Sequence, residues 1–166
     1  MSIKDSLLPE YDHETGATRR VLERVPVADL AWKPHDRSFS LGQLASHVAN
    51  IPYWINGILD GPVFDLATVV EDARPKQPTE MASVIARFDD EVKKARAKLN
   101  DQTDATMLSV WTMKQGDHVI LTMPKVAAYR SFIMNHLIHH RGQLTVYLRL
   151  RNAPVPALYG PSADEG

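Results

Sequence analysis

The stretch PKVAAYRSFIMNHLIHHRGQLTVYLRLR, from Pro124 to Arg151, decides how this chain folds. Proline suits the first turn of a helix, where its missing N–H has no intrahelical acceptor to lose. Beyond it, Val126, Tyr129, Ile133, His136, His140, Leu144 and Tyr147 recur at intervals of three and four. That is the period of one helical face. The spacing predicts a long helix whose inward face carries two histidines at places where a bundle expects leucine.

Three further segments have helical periodicity. The first runs from Ile3 to Val25, with Leu7, Tyr11, Thr18, Leu22 and Val25 on one side, and Pro26 stops it. The second begins after Ser40, a natural N-cap, with Gln43 completing a capping box. Its stripe reads Leu41, Leu44, Val48, Ile51, Ile55 and Ile58, ended by Gly61-Pro62, and Pro52 within it predicts a bend. The third, Thr79 to Leu99, places Met81, Ile85, Phe88, Val92, Ala95 and Leu99 on one face and charges on the others, as a solvated amphipathic helix does. Between the third and fourth helices, Val110–Met113 and His118–Thr122 flank Lys114–Asp117 and predict a short hairpin or an irregular excursion. From Ala153 on, Pro154, Pro156, Gly160 and Pro161 predict an irregular tail over 153–166. The expected architecture is all-α, a four-helix bundle formed as a single domain over residues 1–166.

Composition narrows the function. The chain has 166 residues, 44% hydrophobic and 23% charged, with a net charge of −1. No Lys/Arg cluster stands out, so a nucleic-acid partner is not expected. Cysteine is absent, which excludes disulfides, thiolate nucleophiles and Cys-type zinc sites. No signal peptide or membrane span is legible, and a soluble cytoplasmic protein is expected. G-x-S-x-G, P-loop and dinucleotide glycine patterns are missing.

What chemistry remains lies with histidine. His136 and His140 are four apart and project from one face of the helix, so two imidazoles can share one ion. His47, beside the Leu44–Ile51–Trp54 edge of the second helix, is the best third ligand. Buried as core residues, the two histidines of the fourth helix would leave four ring nitrogens needing partners in an apolar interior. His139 sits about 100° from His140 around the helix and faces solvent or a neighbouring helix, though it could replace a ligand. His13 could approach from the first helix; His35 and His118 are weaker candidates. The pair lacks the glutamate that follows the first histidine of zinc peptidases, which disfavours peptidase chemistry. Asp12 and Glu14 are possible substitutes whose default place is a solvated face. Trp54, Tyr129 and Tyr147 could line a substrate pocket or fill the core. Arg141 could reach an anionic substrate or a subunit interface, or simply be an exposed helix residue.

These residues also carry a likeness. The run Met134–Arg149, then Pro154-Val-Pro and Tyr159-Gly-Pro-Ser, resembles the C-terminal signature of the DinB-like (YfiT-related) family. Leu30-Ala-Trp-Lys-Pro followed by Ser40–His47 resembles that family's second-helix motif. The resemblance covers nearly the whole chain. It implies a four-helix bundle, commonly homodimeric, holding a divalent ion such as nickel or zinc on His47, His136 and His140. Some relatives are thiol-dependent transferases or isomerases, so a low-molecular-weight thiol is a possible cosubstrate, although no thiol-recognition motif is present. Three readings follow. The first is a metal-dependent enzyme, a transferase or hydrolase turning water or a thiol on a small electrophile. The second is a non-catalytic, stress-associated protein in which the ion stabilises the bundle. The third is a helical interaction module whose histidines are core.

Overall fold

The computed structural model describes residues 2–69 and 75–166. Helix α1 (Ile3–Glu23) begins after Ser2, whose backbone N–H donates to Asp5 Oδ2 at 2.8 Å. Helix α2 (Leu41–Asn50) has the full capping box: Ser40 Oγ accepts from Gln43 N at 3.1 Å, and Gln43 Oε1 accepts from Ser40 N at 3.0 Å. Pro52 cannot donate into an α ladder, and the chain tightens into a 3₁₀ turn over Ile51–Trp54 before α3 (Ile55–Leu59). The expected bend is therefore a change of helix type. Helix α4 (Met81–Asn100) buries Met81, Val84, Phe88, Ala95 and Leu99 and pairs its outer face with α1 through Arg19–Asp89 and Arg96–Asp12. A short α5 (Asp104–Leu108), capped by Thr103, was not legible in the sequence.

The fourth long helix has three parts. Helix α6 (Lys125–Tyr129) starts after Pro124 as expected, a π-helical turn spans Arg130–Asn135, and α7 (His136–Leu150) follows. Beyond the π turn the fully buried positions are Leu137, Arg141, Leu144 and Leu148. Of the expected inward set, Tyr129, Ile133 and Leu144 are buried, whereas Val126, His136, His140 and Tyr147 are only half-buried. Helix α1 packs on α4 and α7, and α2 packs on the same two, so the four long helical stretches enclose one apolar core.

An all-α description needs correction. The excursion between α5 and α6 is a hairpin of β2 (Val110–Gln115) and β3 (His118–Pro124), turned at Gly116 with φ +59°, a value glycine adopts without strain. A third strand, β1 (Val63–Asp65), pairs parallel with β2, giving the order β1-β2-β3. Three residues are too short for periodicity to reveal, and β1 exists because β2 offers it an edge. Trp111 of β2 is 1% exposed, and its indole donates to Gly57 O of α3 at 2.8 Å, tying the sheet to the bundle. The tail beyond Ala153 is irregular and held by Arg24–Glu165 and Arg149–Asp164 ion pairs. Among the described residues no helix is long and apolar enough to cross a membrane.

Candidate metal centre

Helix α2 buries Leu41, Leu44 and Val48, which leaves His47 on the flank of the apolar stripe, half-buried and facing α7. His136 and His140 occupy the first two turns of α7, also half-buried. One ring nitrogen from each of the three lies within 4.8 Å of the others. His47 Nε2 and His136 Nε2 are 3.1 Å apart. Two imidazole nitrogens bound at about 2.05 Å to one ion are about 3.3 Å apart on a tetrahedron and about 2.9 Å apart on an octahedron. The observed distance falls between, so the pair fits one ion without rearrangement.

His140 Nδ1 lies 2.7 Å from Gln143 Oε1. An amide oxygen only accepts, so Nδ1 carries the proton and the lone pair is on Nε2. This orienting hydrogen bond is the kind that ligand histidines characteristically have. The electrostatics agree. Burial, then the neighbouring imidazoles His140 and His136, pushes His47 down to about 4. Burial, then His140 and His139, pushes His136 down to about 4. Burial also lowers His140, against the opposing effect of Gln143. All three rings are neutral at pH 7, the form that binds a cation. The donor set therefore fits a divalent ion.

The indole of Trp54 meets His47 and His136 edge-on, at centroid distances of 5.4 and 5.0 Å. Trp54 and His47 also border a cavity of about 1160 Å³, whose apolar wall includes Phe64, Trp111, Met113 and Phe132. Of the aromatic residues singled out in the sequence, Trp54 is thus at the site. Tyr129 is fully buried in the core, and Tyr147 reaches Phe39 O at 3.4 Å.

Other candidates lie elsewhere. His139 is exposed, its ring 4.8 Å from that of His140 but outside the three-nitrogen cluster. His13 is exposed and stacks on Tyr159 at 6.2 Å. His35 and His118 are exposed, and Asp12 pairs with Arg96. Two expectations are reversed. Glu14 does not lie on a solvated face, and Arg141 is not an exposed helix residue: they form an ion pair at 2.6 Å, with side chains 8% and 1% exposed. Gln143 and the cavity wall went unread in the sequence. The three-residue step from His140 to Gln143 was the available signal for the first; the wall comes from β1, β2 and the π turn and had none.

Comparison with known proteins agrees with this architecture. The chain is 28% identical over 164 residues to the uncharacterized protein YrdA of Bacillus subtilis strain 168, covering 97% of this chain and 90% of that one. The crystal structure of a DinB-like protein from Bacillus cereus ATCC 10987 superposes with a TM-score of 0.71 at 22% identity, over 95% of this chain and 98% of the other. The DinB-like protein YjoA of Bacillus subtilis gives 0.70 at 18% identity, over 91% and 95%. These two likenesses establish a shared fold. The DinB family model matches residues 1–166, and the chain belongs to the DinB family.

Proposed function

We propose that this protein is a divalent-metal-dependent enzyme, a transferase or hydrolase that directs water or a low-molecular-weight thiol at a small electrophile. The observation that carries this reading is the convergence of three neutral imidazoles, one of which, His47, borders a cavity with an apolar wall. Nickel or zinc is the proposed ion, and His47, His136 and His140 are its proposed ligands. A bound divalent ion would supply Lewis acidity, lowering the pKa of a water or thiol at a position the protein leaves open.

The chain's own residues contribute the rest. Burial keeps the three imidazoles unprotonated, so no proton has to leave before they bind a cation. Gln143 fixes the tautomer of His140. Trp54 covers one side of the cluster and limits access of bulk water there. Phe64, Met113 and Phe132 offer an apolar wall, which suits a small substrate with a hydrocarbon or aromatic portion. By family resemblance the reading includes a homodimer, checked by light scattering on the purified protein.

A non-catalytic metal protein is the competing reading, favoured by ligands that come from two packed helices, α2 and α7, which an ion would tie together. The cavity beside the cluster favours the enzyme. Elemental analysis of tag-free protein and of His136→Ala tests both. The expected result is about one nickel or zinc per chain, lost in a folded variant, followed by turnover of a small electrophile that the variant lacks. Protein that takes up neither ion overturns the metal reading. A stoichiometric ion with full turnover in His136→Ala overturns the enzyme.

A further inference from the structure

The fourth long helix is out of phase with itself. Upstream of the π turn its buried positions are Lys125, Ala128 and Tyr129. Continuing that stripe at about 100° per residue would bring His136, His140, Gln143 and Tyr147 onto the core, and would turn Leu137, Arg141, Leu144 and Leu148 about 130° away from it. The structure has the opposite arrangement: Leu137, Leu144 and Leu148 are 0% exposed and Arg141 is 1% exposed. His136, His140 and Tyr147 are half-buried, and Gln143 is exposed. The wide turn over Arg130–Asn135 accommodates one extra residue, which rotates everything after it by about one residue's angle.

A second observation shows what holds the rotated half. Arg141, the residue after His140, enters the core with its guanidinium on Glu14 of α1. Nη2 lies 2.6 Å from Glu14 Oε2, and Nη1 donates to Glu14 O at 3.0 Å. Tyr159 of the tail closes the group: its hydroxyl donates to Glu14 Oε2 at 2.7 Å and lies against Arg141 Nη2. A buried ion pair is poor value as a stabiliser, because desolvation offsets most of its attraction, but a mismatched partner is strongly penalised. It therefore specifies one rotation of α7 against α1.

We infer that the π turn and the Arg141–Glu14 pair are the positioning device of this site. The turn takes His136 and His140 off the core stripe and aims them at His47, and the pair locks that rotation. Arg141 is in this sense a positioning residue that acts through the two histidines. The inference rests on the three-histidine reading for its purpose, but the rotation itself can be tested without any ion.

The chain has no cysteine, so single-cysteine reporters are clean. Maleimide labelling is compared for Ala128→Cys, His136→Cys and Leu144→Cys, each with and without deletion of Ser131. With the full-length turn, position 136 should label at least tenfold faster than 128 and 144. Deletion should make the helix continuous and expose either 144 or 128, according to which half rotates. An unchanged pattern in a folded deletion overturns the inference. Should the deletion not fold, the double variant Glu14→Gln/Arg141→Met decides. It replaces the pair without leaving a buried charge, and is expected to keep its melting temperature within a few degrees. Its Co(II) affinity should fall at least tenfold, with an altered visible d–d spectrum. Unaltered Co(II) affinity and spectrum in that folded variant overturn the lock. Absence of Co(II) binding in the wild-type protein counts against the metal reading and leaves the labelling result to decide the rotation.

Discussion

Gln143 is the smallest part of the site with a separable effect. It is exposed and its amide oxygen holds the His140 Nδ1 proton, so Gln143→Leu should leave the fold intact. Loss of such an orienting partner typically costs about 10- to 100-fold in metal affinity. Competition titration against a chelator of known affinity measures it, and an unchanged affinity would remove Gln143 from the site. The histidines themselves set a pH dependence. In the metal-free protein His47 and His136 are held at about 4, while in the unfolded chain they return to about 6.5. Between these values the unfolded chain binds protons that the folded chain refuses. Their contribution to stability is therefore complete above pH 6.5 and is lost as the pH falls toward 4. Urea unfolding of chelator-treated protein at pH 7.5 and 5.0 should show this fall, and His47→Gln should make it shallower. An equal fall in the variant would assign it to other groups.

At the scale of elements, the site depends on how α2 begins. Ser40 is 1% exposed, caps the helix at Gln43 and contacts Gln77 Oε1 at 2.5 Å. Ser40→Ala removes the cap and should destabilise the protein by about 1 kcal/mol, within the ~0.5–2 kcal/mol range of such losses. Chemical denaturation reads this directly, and a change below about 0.3 kcal/mol would mean that packing alone sets the helix start. The same element shows how much of the site could be read in advance. Ser40, Gln43 and the Leu41–Leu44–Val48 spacing are local signals, and they place His47 on the flank of a buried stripe. The π turn is different. Nothing in Arg130–Asn135 breaks helical periodicity, so the spacing puts His136 and His140 on the inward stripe and leaves Arg141 off it, one residue out of phase. Only packing against α1 distinguishes the two phases.

For the whole molecule, an ion on His47, His136 and His140 would join two helices that the unfolded chain leaves far apart in sequence. Binding to the folded state alone stabilises by about 2.7 kcal/mol when free ligand is one hundred times its dissociation constant. Zinc or nickel at that ratio should raise the unfolding free energy by about this amount, and His136→Ala should abolish the gain. A rise that survives the variant would place the ion elsewhere.

The sequence by itself determined the long helical stretches, the Ser40 cap and the pairing of His136 with His140, and offered a hairpin as one of two readings and His47 as a third histidine, because periodicity, capping and i to i+4 spacing are properties of neighbouring residues. Tertiary structure alone decided the rest. Strand β1 forms only where β2 presents an edge to Val63–Asp65. The cavity wall is assembled from residues as distant as Phe64 and Phe132. Glu14 and Arg141, 127 residues apart, become a buried pair only when α1 and α7 pack. Such contacts carry no local signature, since their free energy comes from burial and desolvation shared between segments that the chain brings together only on folding.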